Sequence, residues 1–343
     1  MSKNFTHLSC TLRDAVPLII CALKANQPAM LWGSYGIGKT DIANQIAKAM
    51  GFDSAIVICP SIEDIIDFKL PYLKDGDDGT KESSYAMSDR LPKSGRHLII
   101  IDEINTASMD LQPALYSLVL ARRLGNYVLP EECRIIATGN RESDRAAAQP
   151  MSTALKNRFG LHLNIIPDKD SWCQWAIRND VAPELIAFVR EYPSVLEGAN
   201  PDDPCGGCTP RGLAKLSSMI KVGVPQDHET LVYQGSIGMA EGARLGGFMA
   251  LCRKGIRVEE VLADPKKARV PEESHENFAI ISALTSAANK DNLEKILTYG
   301  DRMAKSYAVV LMGDIKRRGD GLDKTATFAK AIVKYQGILT DVA

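Results

Sequence analysis

Eight residues constrain this chain more than any other stretch: Gly33, Ser34, Tyr35, Gly36, Ile37, Gly38, Lys39 and Thr40. They fit the pattern G-x-x-x-x-G-K-[ST], which requires a strand before it and a helix after it. Both neighbours are legible. The short apolar run AMLW leads into the glycines. The following DIANQIAKAM sets Ile42, Ala43, Ile46, Ala47 and Met50 on one face, with Gly51 as a stop. In such a loop the glycines let the backbone wrap phosphate oxygens with its N–H groups, and the helix N-terminus adds a positive dipole end. Lys39 is expected to reach the β- and γ-phosphates and Thr40 to ligate a metal ion.

The rest of the first half alternates strand and helix. Residues 11–25 have helical apolar spacing. SAIVICP reads as a buried strand, followed by HLIIIDEI (97–104), RIIATGN (134–140) and LHLNII (161–166). Apolar strands that do not alternate, separated by helices, predict a parallel sheet covered on both faces. Two polar, glycine-bearing stretches interrupt it: a hairpin or loop near 71–92 and a hairpin near 122–132. After about Asp168 the strand signals stop and helices follow, with Thr209 a candidate N-cap before Pro210. The domains expected are an α/β core over 1–167, a helical lid over 168–260 and a helical C-terminal extension over 261–343.

Two further elements carry chemistry. Asp102 and Glu103 close an apolar strand, where charge is costly unless a metal or water uses it. Downstream of a phosphate loop, Asp102 is expected to hold the shell of Mg²⁺ and Glu103 to polarise an attacking water, with ATP as the nucleotide. Asn140 ends the next strand, at the sheet edge where α/β proteins bind ligands. It is a candidate to position that water.

The succession of this loop, DEIN (102–105), ATGN (137–140) and LKNRF (155–159) resembles the AAA+ superfamily of P-loop NTPases, and within it the MoxR type of the helix-2-insert group. The resemblance covers roughly residues 10–255. It implies that Asn140 is sensor 1 and that Arg158 is an arginine finger acting in the neighbouring subunit's site. It also implies that Arg211 in TPRGLAKLS is the sensor 2 arginine of the lid. The segments near 71–92 and 122–132 would be the helix-2 and pre-sensor 1 inserts, which the family carries near a central pore. Arg141 and Arg145 are two further candidates for a trans-acting arginine. One departure stands out: many members have an acidic residue before the second hairpin, where this chain has Arg122 and Arg123. The resemblance implies an ATP-hydrolysing homo-oligomeric ring, expected to be a hexamer. Such a ring would remodel or activate a client, often beside a protein with a von Willebrand factor A domain.

Charge separates the alternatives. Lys and Arg number 41 against 42 Asp and Glu, a net charge of −1. A DNA-acting AAA+ motor or translocase is therefore the second expectation, because nucleic-acid binders are usually strongly basic. A small-molecule kinase built on the same loop is disfavoured by Asn140, Arg158 and the long helical half. No run suggests a membrane span or a signal peptide, so a cytoplasmic location is expected. Cys21, Cys59 and Cys133 sit in or beside apolar runs and are expected to be buried. Cys205 and Cys208 form a lone CxxC with no second ligand pair to complete a zinc site, which reads as a surface turn with two thiols in preference to a redox or intersubunit metal site.

Overall fold

The five apolar runs pair into one sheet, joined at one edge by a short sixth strand that is not apolar. In the computed structural model the strands are β1 (Ser9–Thr11), β2 (Ala29–Trp32), β3 (Ser54–Ile58), β4 (Leu70–Asp75), β5 (Lys81–Ala86), β6 (His97–Ile101), β7 (Arg123–Leu124), β8 (Tyr127–Val128), β9 (Arg134–Gly139) and β10 (Leu161–Ile166). The sheet order is β1-β10-β2-β9-β6-β3, and every pairing in it is parallel. The structure describes residues 9–61, 65–67, 70–75, 79–86, 88–108, 110–141, 144 and 151–335. The chain divides into two units, Met1–Ile166 and Pro167–Ala343.

Alternate residues of the central strands feed opposite faces of the sheet, which is why these strands are apolar throughout. Ala29, Leu31, Leu98, Ile100 and Ile136 pack under helices α1 (Leu12–Lys24) and α2 (Lys39–Ala49), against Ile19, Leu23, Ala43 and Ile46. Met30, Trp32, Ile99, Ile101, Ile135 and Ala137 face the other way. They pack against Leu115, Leu118 and Val119 of α3 (Gln112–Ala121) and against Leu155 of α4 (Thr153–Lys156).

Two expectations of burial need correction. β3 is an edge strand with Val57 39% exposed, because nothing but β6 pairs with it among the described residues. Of the three cysteines expected inside, only Cys133 is buried; Cys21 is exposed and Cys59 half-buried. Cys21 misses the core because α1 buries its Ala15, Ile19 and Leu23 side.

Both inserts are hairpins. β4 and β5 pair antiparallel, as do β7 and β8. The Asn126 side chain donates to Ser84 Oγ at 2.9 Å and so ties one hairpin to the other. Arg122 explains its own presence where an acid was expected. It ends α3 in a left-handed conformation, φ 55°. Its guanidinium donates to the carbonyls of Pro130 at 2.6 Å and Cys133 at 3.1 Å, and its own carbonyl accepts from Leu129 N at 2.8 Å. The arginine is thus the clasp at the base of the second hairpin.

The second unit is helical: α5 (Lys169–Arg178), α6 (Pro183–Glu191), α7 (Pro210–Val222), α8 (Glu229–Ile237), α9 (Met239–Lys254), α10 (Val258–Ala263), α11 (Ser274–Ala287), α12 (Leu293–Gly300), α13 (Lys305–Arg318) and α14 (Ala326–Val333). Thr209 caps α7 as its sequence suggests, accepting from Gly212 N at 3.0 Å. Gly238 at φ 89° ends α8 and opens α9. Two apolar clusters share this unit, one around Leu185, Phe188, Leu213 and Phe248, the other around Ile281, Leu284, Ile296, Tyr299 and Ile315. A buried ion pair, Arg190 with Asp314 at 2.6 Å, joins α6 to α13. Among the described residues no helix is long and apolar enough to cross a membrane.

Candidate functional site

Parallel pairing brings the C-terminal ends of β2, β6 and β9 to one edge. Trp32 is level with Gly139, and Ile101 with Ala137, so Gly33, Asp102 and Asn140 leave the sheet side by side. This is the edge at which an open α/β sheet presents its ligand site.

The glycine loop needs its glycines. A Cβ on Gly33 would lie 2.6 Å from the carbonyl oxygen of Ile165, a contact that backbone cannot relieve cheaply. Gly38 turns into α2 at φ 96° and offers no side-chain cap, so the first turn of that helix is left to a ligand's oxygens. Lys39, 7% exposed, donates to the carbonyls of Gly33 at 2.7 Å and Ser34 at 2.8 Å and to Asn140 Oδ1 at 3.1 Å. Its ammonium is therefore held by neutral oxygens, two of them from its own loop. Burial lowers its pKa to about 8, against the opposing pull of Asp102, Glu103 and Asp144.

The acidic end of β6 is closely bonded. Asp102 Oδ1 accepts from Thr40 Oγ1 at 2.7 Å and from Thr138 Oγ1 at 2.6 Å. Thr40 and Asp102 together offer hard oxygen donors, which suits Mg²⁺, an ion that takes one or two protein ligands and keeps several waters. Glu103 stands in the left-handed region, φ 53° and ψ 46°. Such a conformation costs on the order of 1–3 kcal/mol in a residue with a side chain. It is fixed from both sides: its N–H donates to Thr138 Oγ1 at 2.9 Å, and its carbonyl accepts from the N–H and the hydroxyl of Thr106, each at 2.8 Å. Asn140 Nδ2 donates to Glu103 Oε1 at 3.2 Å, so this one carboxamide spans Lys39 and Glu103.

Of the residues singled out by sequence, the structure thus gathers the loop with Lys39 and Thr40, and with them Asp102, Glu103 and Asn140. Arg158 is elsewhere. It is exposed, and its Nε and a terminal nitrogen donate to Tyr116 Oη on α3 at 3.3 and 3.1 Å. Arg211 is an exposed residue in the first turn of α7, in the second unit. Arg141 lies over its own loop: it donates to Ser34 Oγ, and its Nε is 3.3 Å from Asp144 Oδ2. Arg145 lies outside the described residues. Two participants escape a motif reading. Thr138 sits inside the ATGN strand and Asn105 ends DEIN, but only the fold places them against Glu103 and Asn140, each 35 positions away in sequence.

The surface-turn expectation needs correction at Cys208, which belongs to the core of the second unit, where burial pushes its thiol up to about 12. Cys205 donates to Asp203 Oδ1 at 3.1 Å. Among the described residues no group of three His, Cys, Asp or Glu side chains could hold a metal ion.

The fold and this edge define a P-loop nucleotide-binding protein: a parallel sheet, a glycine loop opening a helix, and an acidic strand end beside it. Residues 28–159 match the family model of the AAA domain, dynein-related subfamily. The chain carries an AAA domain in its first unit, and by that domain it is an ATP hydrolase. Solved structures give weaker likenesses. A RuvB point mutant of Thermotoga maritima is 16% identical at TM-score 0.40, over 75% of each chain. The RuvB Holliday junction branch migration motor of the same organism is 15% identical at TM-score 0.38, over 94% of this chain and 86% of that one. NtrX from Brucella abortus is 14% identical at TM-score 0.37, over 93% and 64%. No curated protein matches the chain.

Proposed function

We propose that this chain is a ring-forming, Mg²⁺-dependent AAA+ ATPase of the MoxR type that uses ATP hydrolysis to remodel or activate a partner protein. The observation that carries the reading is the placement of Arg158. Among the described residues its guanidinium bonds to Tyr116 and to none of Lys39, Asp102, Glu103 or Asn140 of its own chain. An exposed arginine held clear of its own site is available to a neighbour's, where it would offset charge developing on the transferred phosphoryl group.

Within one subunit the roles follow from the contacts. Lys39 turns from the two carbonyls of its own loop to the β- and γ-phosphates and keeps Asn140 Oδ1. Thr40 and Asp102 would hold Mg²⁺, which supplies positive charge against the phosphate oxygens. Glu103 takes a hydrogen bond from the attacking water, and Asn140 fixes the direction from which that water comes. Arg211 is assigned to sense the nucleotide from the helical lid over 168–260, with 261–343 as an extension. The partner class proposed is a protein, such as one with a von Willebrand factor A domain, in preference to DNA. The β4–β5 hairpin supports this: Leu70, Tyr72 and Leu73 are 51%, 47% and 70% exposed. Its charges cancel across the strands, Lys74 with Glu82 at 3.0 Å and Lys81 with Asp75. A surface built for phosphates would keep its cations free.

The test is turnover per chain against concentration. A site completed by a neighbour loses activity on dilution, and turnover that stays constant per chain would sink the ring. Mixing inactive Arg158→Ala and Lys39→Ala subunits is expected to restore some activity, since some junctions then pair an intact loop with an intact finger. DNA accelerating hydrolysis where the candidate protein partner does not would replace the protein-remodelling reading with the motor.

A further inference from the structure

We infer that Asn105 is a positioning residue for hydrolysis: its side-chain amide splints the main chain of Asn140 and thereby aims the Asn140 carboxamide between Lys39 and Glu103. The inference rests on the roles just proposed for Asn140 and Glu103.

The need for a splint comes from the sheet. β9 runs beyond the end of β6: Ile101 pairs with Ala137, and then the β6 chain turns away through Asp102 and Glu103 into a 3-10 turn, Ile104–Thr106. Thr138, Gly139 and Asn140 therefore have no paired residue in β6, and of the three it is Asn140 whose N–H and carbonyl face that flank past its end. On the other flank they keep one, since Leu31 and Trp32 stay level with Thr138 and Gly139, and Gly33 N donates to Gly139 O at 3.2 Å. An unpaired, buried peptide group is costly. Side chains take over where the strand leaves. Thr138 ties its hydroxyl to Glu103 N, and Asn105 meets Asn140 at both of its main-chain groups. Asn105 Nδ2 donates to Asn140 O at 2.8 Å, and Asn140 N donates to Asn105 Oδ1 at 3.2 Å.

This is the two-bond pattern that a strand would have made, supplied by one carboxamide. It demands a side chain with a donor and an acceptor on one edge, at the length of asparagine. Asn105 is 2% exposed and Asn140 1%, so water is not there to substitute. Gly139 makes the approach possible: a Cβ there would lie 3.1 Å from Asn105 Oδ1 and 2.6 Å from Met30 Cε. The Asn140 side chain then has little freedom except to bridge Lys39 and Glu103, where it stands. Removing the splint leaves the loop and the Asp102 contacts in place, so nucleotide affinity is expected to hold while turnover falls.

The experiment is a cycle of Asn105→Leu and Asn140→Ala in the full chain, with kcat and the affinity for ATP measured separately. Asn105→Leu alone is expected to lower kcat on the order of 10–100-fold, by analogy with the hydrogen-bond partners that orient metal-ligating side chains, with ATP affinity little changed. In the Asn140→Ala background the same substitution is expected to cost nothing further, because the group it aims is gone. Effects that multiply in the double variant would overturn the inference. Asn140→Ala turning over at the wild-type rate would instead remove the role assigned to Asn140, and the splint with it. Should Asn105→Leu fail to fold, Asn105→Asp enters the same cycle. Its carboxylate sets an oxygen against Asn140 O, but the protonated acid reproduces donor and acceptor alike. Its turnover relative to wild type is therefore expected to recover as pH falls, and a ratio that stays flat down to acid unfolding would overturn the inference.

Discussion

Lys39 offers a measurement that needs no nucleotide. Its ammonium is buried among neutral oxygens, and burial brings its pKa from 10.5 to about 8. Between those values the unfolded chain holds a proton on this lysine and the folded chain does not, so the folded state gains stability as pH rises from about 8 to 10.5. Below pH 8 both states are protonated and this lysine adds no pH dependence. The gap of 2.5 between 10.5 and about 8, at about 1.36 kcal/mol for each unit, gives roughly 3 kcal/mol at the upper limit. The perturbation is Lys39→Met, which removes the titration and keeps the stem. The assay is urea unfolding of the nucleotide-free protein from neutral pH to 10.5, with wild type compared with the variant at each pH so that other alkaline titrations cancel. The chain has three tryptophans, and of these Trp32 alone lies in the first unit. Replacing Trp172 and Trp175 with Phe in both proteins makes Trp32 report that unit by itself. Wild type is expected to gain on the variant by about 3 kcal/mol across the window. A difference that stays level to within about 1 kcal/mol would refute the picture of a desolvated, depressed lysine.

Other expectations follow from single contacts. Glu103→Gln keeps the Asn140 hydrogen bond in part but loses the carboxylate, so it should bind ATP normally and hydrolyse it on the order of 10²–10⁴-fold more slowly, the range typical of a lost general base; separate binding and single-turnover assays check this. Gly33→Ala places a methyl 2.6 Å from Ile165 O at a φ of 152°, and should destabilise the first unit and abolish ATP binding, readable by thermal unfolding with and without nucleotide. Arg190→Met leaves Asp314 buried without its main partner, although burial already raises that carboxyl's pKa, and should cost about 3–5 kcal/mol in urea unfolding. The double variant Arg190→Met with Asp314→Leu should recover most of the loss.

The sequence exposes those parts of the site that are local in it. GSYGIGKT announces its strand and helix because loop, lysine and helix start are contiguous, and Asp102 with Glu103 stands out because two charges end a run of four apolar residues. Parallel pairing is likewise legible from apolar strands that lack alternation. What stays hidden depends on register. That Thr138 meets Glu103, and Asn105 meets Asn140, follows from the β9 chain continuing past the end of β6, which no local pattern records. β1 escapes notice because three residues carry no periodicity; it forms only as an addition beside β10. β3 reads as an inner strand because β-branched residues look alike at an edge and in a centre until the sheet order is known. Arg122 reads as a departure from a family pattern, yet its reason is mechanical, since it grips two carbonyls across the hairpin it opens.

The β4–β5 hairpin has a consequence for how such a protein can change over time. It leaves the sheet after Ile58 and the chain returns at His97, yet β3 and β6 stay locked in register from Ser54 opposite His97 to Ile58 opposite Ile101. The junction is reinforced at its foot, where Asp53 N donates to Arg96 O and Arg96 N to Asp53 Oδ2, both at 2.8 Å. The hairpin from Leu70 to Ala86 is therefore a cassette, while Leu91 after it is back in the core. Doubling its length would add only about 0.6 kcal/mol of closure entropy, and the position of Asp102 would be untouched. Drift or exchange in this one segment changes the exposed surface of Leu70, Tyr72 and Leu73 while the hydrolytic machinery is inherited whole.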